Sequence, residues 1–452
     1  MGYLHKFSNL TDFNNYYNGD SYNEPFVSAT LTEGEPIVNY NKTEDEKERP
    51  KMLENPLTLE ILSDGNVVWK SPTISYTKSF EFKKNDDEWS AVTTITSLTI
   101  NVLRGDIIQF RGTNVTANRF GCFGDTTCRF NAKYNIMSLI DKTNYKNLTV
   151  IGDESAFSGL FSGCTGLVNA KYLALPATTL TSYSYSSMFS GCTSLVTAPE
   201  LPATNLNVNN RGCYQYMFGG CTSLVTAPEL PATAICSDCY ECMFQNCTSL
   251  VNGPSTLPAT AATHYCYNSM FEGCTSLINV PSILPATDFT GYAMGCYANM
   301  FSGCKSLVTA PALPATNLGD TELTYANMFA GCTSLVTAPA LPVTGGCWVD
   351  CFANMFSGCT NLETAPVLYK LEGWKYEDGW GIEVEHYPMY NNMFQGCTKL
   401  NYIKCLNTET SSGAYSDWLD GVSPTGTFVK DSSANWSTGI NGIPSGWTVV
   451  SE

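Results

Sequence analysis

The amino-acid sequence predicts a β-rich, α+β protein in which an amino-terminal arm and a β-sandwich precede a capped repeat solenoid. First, a motif built around a cysteine recurs nine times within 151–405, and such self-similarity is typical of solenoids. Second, residues 52–150 alternate between apolar and polar side chains, as short strands do. Third, the flanking segments 1–51 and 406–452 lack the motif. We interpret them as an anchoring arm with a charged linker and as a cap over the last repeat.

Each repeat places a phenylalanine three residues before its cysteine. In one repeat Tyr185, Met188, Phe189 and Cys192 follow the spacing i, i+3, i+4, i+7, which predicts one apolar face of a short helix. The predicted structural core of the repeats consists of Phe161, Cys164, Phe189, Cys192, Phe218, Cys221, Phe244, Cys247, Phe271, Cys274, Phe301, Cys304, Phe329, Cys332, Phe356, Cys359, Phe394 and Cys397.

The residue before each repeat cysteine is glycine, except at Asn246, which predicts a left-handed backbone that ends the helix. The run that follows, such as 193–198 before Pro199, predicts a brief strand. Because neither element can bury its apolar face alone, we expect the repeats to stack with their strands in a parallel ladder. The cysteines would then be small buried side chains. A second column of them is expected at Cys213, Cys239, Cys266, Cys296 and Cys351.

Two local features of the first 150 residues carry further expectations. The pair Asp64-Gly65 lies between two strand-like runs and predicts a hairpin turn. The charged stretch 44–50 predicts a solvated linker. Whether Cys122 and Cys128 form a disulfide stays open, because spacing does not define the separation of their Cα atoms.

Charge and hydropathy exclude two classes of partner. The chain has 41 acidic and 24 basic residues and a net charge of -17, whereas nucleic-acid affinity depends on clustered Lys and Arg. It has no run of 18 apolar residues, so we expect no membrane insertion. The amino-terminal residues lack the apolar segment of a secretory signal. We therefore expect neither nucleic-acid binding nor export by that route.

Neither an enzyme nor a cofactor site is expected. The three histidines, His5, His264 and His386, lie in separate regions without ligand-type spacing. The closest approach to metal-ligand spacing is the group Cys236, Cys239, Cys242 and Cys247. Since two of these cysteines belong to the packing columns and Cys242 is expected to face solvent, we predict no metal. No catalytic residue is predicted.

The best binding candidate is an insertion at 369–388, in the longest interval between repeats. Its aromatic residues would offer flat faces to a sugar ring or a protein, although packing onto the neighbouring repeat is an equally good interpretation. Its carboxylates, among them Glu377 and Glu383, would suit a glycosidase pair only at a defined separation. Variable loops after Pro-Ala-Thr, such as 205–211 and 345–348, add a weakly charged surface. The candidate binding residues are Trp348, Trp374, Tyr376, Trp380 and Tyr387.

The repeat Tyr-x-x-Met-Phe-x-Gly-Cys-Thr-Ser-Leu-x-x-x-Pro-x-Leu-Pro-Ala-Thr resembles the BspA-type leucine-rich repeat over about 157–405. Its period is longer than the ~23 residues of that class. The remainder of the chain resembles structural proteins of crAss-like and related gut phages. The matching segments are His5-Lys-Phe, 22–28 and 38–42 in the arm, 105–112 and 135–140 in the β domain, and 418–428 and 442–448 in the cap.

These resemblances imply a phage or prophage protein, and together with the predicted architecture they favour a virion structural protein of the fibre or decoration type, assembled in the host cytoplasm. They imply that the amino-terminal arm binds other virion proteins and that the repeats attach to a host-surface glycan or protein. A homo-oligomer is compatible with this role. Two alternatives stay open: a bacterial cell-surface adhesin of the same repeat class, which would need an export signal, and an internal virion assembly protein.

Overall fold

The computed structural model describes residues 43–71, 80–93, 97–112, 121–206, 209–287, 289, 293–319, 321–345, 349–371, 389–408, 410 and 412–452, and the backbone of five short strands outside these ranges. The helices of these residues are α1 (Glu44–Glu48) and the 3-10 segments Arg49–Lys51, Ile136–Leu139, Tyr145–Asn147 and Ser412–Ala414. The strands are β1 (His5–Lys6), β2 (Ser28–Thr32), β3 (Glu35–Asn39), β4 (Thr58–Ile61), β5 (Gly65–Lys70), β6 (Phe80–Lys84), β7 (Ser90–Val92), β8 (Ser97–Val102), β9 (Ile107–Gly112), β10 (Phe130–Asn135), β11 (Leu167–Asn169), β12 (Leu173–Ala174), β13 (Tyr376–Glu377), β14 (Glu383–Val384), β15 (Tyr402–Cys405), β16 (Gly426–Lys430) and β17 (Trp447–Ser451). The protein is therefore β-rich with few helices.

Two sheets share a core in the region that precedes the repeats. One sheet has the strand order β11-β10-β4-β9-β6-β7, with β12 also paired to β10, and β5 pairs with β8 in a separate two-stranded sheet. The buried ring of Trp69 on β5 lies 4.6 Å from the ring of Phe80 on β6, centroid to centroid. The smaller sheet thus packs on the larger one. Because β11 and β12 belong to the first repeat, the larger sheet continues directly into the repeats.

The predicted hairpin at Asp64-Gly65 is wrong. Strand β4 pairs with β9 and β10, whereas β5 pairs with β8, so the turn carries the chain from one sheet to the other. Gly65 has a φ of 151°, and a Cβ at this position would lie 2.9 Å from the backbone nitrogen of Cys128. The Asp64 carboxylate accepts a hydrogen bond from the backbone N–H of Arg104 at 2.8 Å. The chain does bend at Asp64, but the pairing of the strands depends on partners distant in sequence.

The predicted helix of each repeat is also wrong, because the described residues of 151–405 contain no helical segment. Tyr183, Ser187 and Gly191 have φ values of 58°, 55° and 72°, so a left-handed residue recurs at every fourth position. The left-handed backbone predicted before the repeat cysteines is confirmed, at Asn246 as well, where φ is 59°. It belongs to a series of tight turns and does not end a helix.

The hydrogen-bond pattern explains why the sequence of these turns has the periodicity of a helix. The N–H of Met188 donates to the carbonyl of Tyr185 at 3.2 Å within one turn, and the N–H of Phe189 donates to the carbonyl of Met217 in the next repeat at 2.8 Å. Backbone donors therefore alternate between the turn and the neighbouring repeat. A four-residue turn period places residues i, i+3, i+4 and i+7 on one side, as a helix does. Periodicity alone could not separate the two structures.

The predicted strand of each repeat is reduced to a bridge of a single residue. Thr197 pairs in parallel with Thr226, and Thr226 pairs with Asn252. Longer pairings occur only at the two ends of the described repeats, in β11 and β15. Successive repeats thus lie in register, but most of the hydrogen bonds between them come from the turns.

Two columns of stacked rings run through the interior. Phenylalanine rings of successive repeats, from Phe161 to Phe394, lie 5.3–5.6 Å apart. A second column, mostly of tyrosines, follows them. Phe123 of the β domain stacks on Phe161 at 5.5 Å, and Trp418 adjoins Phe394 at 6.4 Å. Aromatic side chains therefore cover both ends of the phenylalanine column.

Residues after 405 extend the stack by one irregular turn unit. The N–H of Phe394 donates to the carbonyl of Trp418 at 2.9 Å, and Tyr415 stacks on Tyr390 at 5.0 Å. Gly421 has a φ of 72°, as the glycines of the repeats do. Parallel strands β15, β16 and β17 then pair side by side. The bulky rings of this unit cover apolar groups that would otherwise face water.

Residues 44–50, interpreted as a solvated linker, contain no buried residue but form a helical segment. Helix α1 begins after a capping box formed by Thr43 and Glu46. Asp45 accepts hydrogen bonds from Tyr172 and Lys171, both at 2.8 Å, and the bond from Lys171 contributes most to lowering the pKa of this carboxyl. The phenol of Tyr134 donates to a carboxylate of the same helix at 2.6 Å. The charged helix is therefore held against the β domain and the first repeat, while most of the arm before it lies outside the described residues.

Candidate binding surfaces

The repeat cysteines are hydrogen-bond donors as well as packing groups. The Cys274 thiol donates to the Phe244 carbonyl of the preceding repeat at 3.0 Å, and the same carbonyl accepts the N–H of Cys247 at 3.1 Å. Burial raises the pKa of Cys247 to about 12, so this thiol stays protonated and unreactive. Equivalent bonds at 3.0–3.2 Å are made by Cys192, Cys221, Cys247, Cys304, Cys332, Cys359 and Cys397. All eighteen predicted core phenylalanines and cysteines are fully buried.

The remaining thiols form no metal site among the described residues, where no three His, Cys, Asp or Glu side chains converge in a suitable geometry. The second cysteine column is fully buried, and Cys213 lies 3.6 Å from Cys236, sulfur to sulfur. The expectation that Cys242 faces solvent is wrong, since it is 3% exposed and burial raises its pKa to about 11. Cys122 and Cys128 are free thiols.

Most of the aromatic binding candidates lie outside the described residues. These are Trp348, Trp374, Trp380 and Tyr387. Tyr376 lies in β13, whose backbone pairs antiparallel with β14 through Tyr376 and Val384. The insertion thus contains a short two-stranded pairing, and its binding role stays a prediction.

The loop at 205–211 is tied to the repeats on either side of it. Asn205 forms a parallel bridge with Ala234, and the side-chain amide of Asn210 donates to the carbonyl of Leu180 at 2.7 Å. Arg211 forms an ion pair with Asp238, whose side chain is almost fully buried. These contacts hold the described ends of the loop in place before any ligand arrives, which lowers the entropic cost of binding there.

A regular surface, not singled out from the sequence, follows the repeat cysteines. An exposed β-branched residue recurs four positions after the cysteine, with exposures of 47% at Val196, 42% at Val225 and 52% at Ile278. Beside this row, the Ser223 hydroxyl donates to the carbonyl of Thr193 in the adjacent repeat at 2.6 Å. We call this surface the threonine–valine face and define it as 165–166, 168–169, 193–194, 196–197, 222–223, 225–226, 248–249, 251–252, 275–276, 278–279, 305–306, 308–309, 333–334 and 336–337.

A hydroxyl-lined cavity of about 320 Å³ lies where the β domain meets the first two repeats. Cys122 on its wall is the one half-buried cysteine of those that the structure describes, the others being buried. The cavity is lined by Gly121, Cys122, Ser158, Gly159, Ser162, Ser186 and Ser187. With no charged group in its lining, it is suited to water or a small neutral polar molecule.

Comparisons with known proteins give one distant likeness. No protein-family model matches the chain, and no curated protein matches it. A solved leucine-rich repeat protein from Bacteroides ovatus is 16% identical, with a TM-score of 0.31, over 67% of this chain and 78% of the other. Such a likeness is too distant to assign an activity, a partner or a source. Among the described residues, no helix combines the length and apolar character needed to cross a bilayer.

Proposed function

We propose that this chain is a virion structural protein of fibre or decoration type, in which a BspA-like leucine-rich-repeat solenoid is displayed for attachment to a host-surface glycan or protein. The observation that carries the proposal is that aromatic rings cover both ends of the repeat column, Phe123 on Phe161 and Trp418 on Phe394. Because both ends of the stack are covered, other molecules can bind along its sides. An extended lateral surface is what repeat proteins use for binding.

The cysteines of the repeat core are buried and protonated, which favours binding over catalysis at these thiols. The thiol of Cys332, like that of Cys247, has its pKa raised to about 12 by burial, whereas a nucleophilic cysteine needs a lowered pKa and access to substrate. The amide side chains of the 205–211 loop, such as Asn205 and Asn210, suit neutral ligands. We therefore propose a protein without catalytic residues or cofactors.

The proposed virion location depends on the resemblance of the arm, the β domain and the cap to gut-phage structural proteins. In this scheme the arm anchors the chain to other virion proteins, and the backbone pairing of β1, β2 and β3 gives it a folded element for that contact. Docking of α1 through Asp45 and Lys171 fixes the point at which the chain leaves the arm and enters the β domain.

Antibody labelling of intact particles, followed by electron microscopy, tests this function. The antibody is raised against the purified chain, and particles opened with denaturant serve as the control. Labelling of intact particles is expected. Labelling of opened particles alone would establish an internal assembly protein instead. Presence in the bacterial envelope and absence from particles would establish a cell-surface adhesin.

The attachment role is tested separately by binding of the purified chain to host cells. Arg211→Ala and Asn210→Ala, which remove side-chain contacts at the carboxyl-terminal end of the 205–211 loop, are expected to weaken binding severalfold. Glu452→Ala in the cap is the matched control, because its side chain is exposed and distant in sequence from the loop. Equal binding by all the variants would exclude the loop at 205–211 as the attachment site.

A further inference from the structure

We infer that the threonine–valine face is an interface with a second copy of this chain, paired antiparallel about a two-fold axis. The inference concerns a different set of residues from the proposed attachment loops and does not depend on the virion location. A row of apolar side chains on this face is exposed to water in a single copy of the chain. In addition to Val196, Val225 and Ile278, Val308 is 52% and Val336 is 44% exposed. A row of this length on a protein surface marks an interaction site.

Composition of the face favours a protein partner over a glycan. Its 28 residues include no aromatic side chain, whereas sugar rings pack on aromatic faces. Methyl groups alternate with polar groups, several of which bond across repeats: the Ser223 hydroxyl donates to the Thr193 carbonyl and the Asn279 amide donates to the Asn252 side-chain oxygen. Groups bonded in this way have less hydrogen-bonding capacity left for a ligand. A matching apolar row therefore suits this surface better than a polyol.

Charge favours a second copy. The chain carries 41 acidic residues, yet none lies on the threonine–valine face, where Lys305 is the one charged side chain; the face ends before the next repeat, in which Glu363 takes the position of the β-branched residue. Two copies can therefore meet here without bringing carboxylates together, as they would on a typical acidic surface. In the antiparallel arrangement the two Lys305 side chains stand four repeats apart, ~19 Å, which exceeds the screening length of ~8 Å at physiological ionic strength.

Symmetry makes the row complementary to itself. The face spans seven repeats, and the middle one carries Val251, which would meet its own counterpart on the axis. Val225 of one copy then faces Ile278 of the other. Val196 faces Val308 in the same way. All contacts along the row are apolar, and the exposed Lys305 side chain is long enough to keep its ammonium group in water.

Area limits the strength of this contact. Seven repeats at ~4.8 Å and five residues at ~3.3 Å give roughly 550 Å² per copy. A standard interface buries ~800 Å² per partner. We therefore expect a weak dimer with a dissociation constant on the order of micromolar, populated where copies are held close together.

Sedimentation velocity of the full chain across roughly 1–200 µM tests the pairing. The expected result is a shift from monomer to dimer mass. Val225→Lys should raise the dissociation constant about tenfold or more, because it places an ammonium group against Ile278. Ile440→Lys, at an apolar residue of similar exposure (55%) in the cap, is the control and should leave the shift unchanged. Circular dichroism verifies that both variants are folded.

Two further variants test the register of the pairing. Mixing Val225→Lys with Ile278→Glu should restore dimers that neither variant forms alone, since the new charges face each other. Val251→Cys, in a Cys122→Ser background, should form a cross-linked dimer on mild oxidation, whereas Val336→Cys should not. A monomer at all concentrations, or dimers abolished by Ile440→Lys and unaffected by Val225→Lys, would overturn the inference. So would loss of host-cell binding by Val225→Lys in a chain that stays monomeric.

Discussion

The hydroxyl of Tyr214 is expected to destabilise the protein, so that Tyr214→Phe increases the free energy of unfolding. Its ring is 1% exposed and stacks between those of Tyr185 at 5.8 Å and Tyr240 at 6.0 Å. The hydroxyl has no hydrogen-bond partner among the described residues. A buried polar group without a partner costs about 1–3 kcal/mol. Removing the oxygen atom also removes some packing contacts, which offsets part of this benefit. We therefore expect the free energy of unfolding of Tyr214→Phe to be higher by about 1 kcal/mol.

Urea denaturation of the full chain, followed by tyrosine and tryptophan fluorescence, measures the effect. Tyr297→Phe repeats the test elsewhere in the column, because its hydroxyl is also buried without a partner in the described structure. Tyr145→Phe is the matched control, since that phenol donates to the Glu54 carbonyl at 2.7 Å. The free energy of unfolding of this control should fall by about 1 kcal/mol. If Tyr214→Phe loses as much stability as Tyr145→Phe, the reasoning from the unpaired hydroxyl is refuted.

Three other outcomes are expected. Cys274→Ala should lower the free energy of unfolding by about 1–2 kcal/mol, through a lost donor and a small cavity. Ser282→Ala, at an exposed residue, should change it by no more than about 0.5 kcal/mol in the same denaturation experiment. The pKa of Asp106 is lowered to about 2, chiefly by the hydrogen bond from Asn85. The ionised Asp106 carboxylate therefore stabilises the protein above about pH 4, and this stabilisation is lost as the pH falls towards 2. In urea denaturation at several pH values, the midpoint for Asp106→Asn should depend less steeply on pH in the acid range. Alkylation of the native chain, followed by peptide mass spectrometry, should modify Cys122 first among the described thiols. Equally fast modification of a buried thiol would contradict this expectation.

Several properties of the repeats followed from the sequence alone. The recurring Phe and Cys columns indicated which side chains face inward, because burial of an apolar group depends on its own chemistry and on a period that repeats nine times. Glycine before each cysteine, replaced once by Asn246, indicated a left-handed backbone, since these residue types adopt it at the lowest cost. Such features depend on the local chain, which changes little from one repeat to the next.

Other properties were decided by tertiary structure. Whether Tyr185 and Phe189 belong to a helix or to successive turns depends on where their N–H groups find acceptors, and here the acceptors lie in the next repeat. The donor role of Cys274 likewise depends on the carbonyl of another repeat. Asp45 became part of a docked helix because Lys171 lies opposite it. Side-chain chemistry and period thus determined what is buried, whereas backbone pairing and charge partners came from segments far apart in the chain, whose proximity no local pattern records.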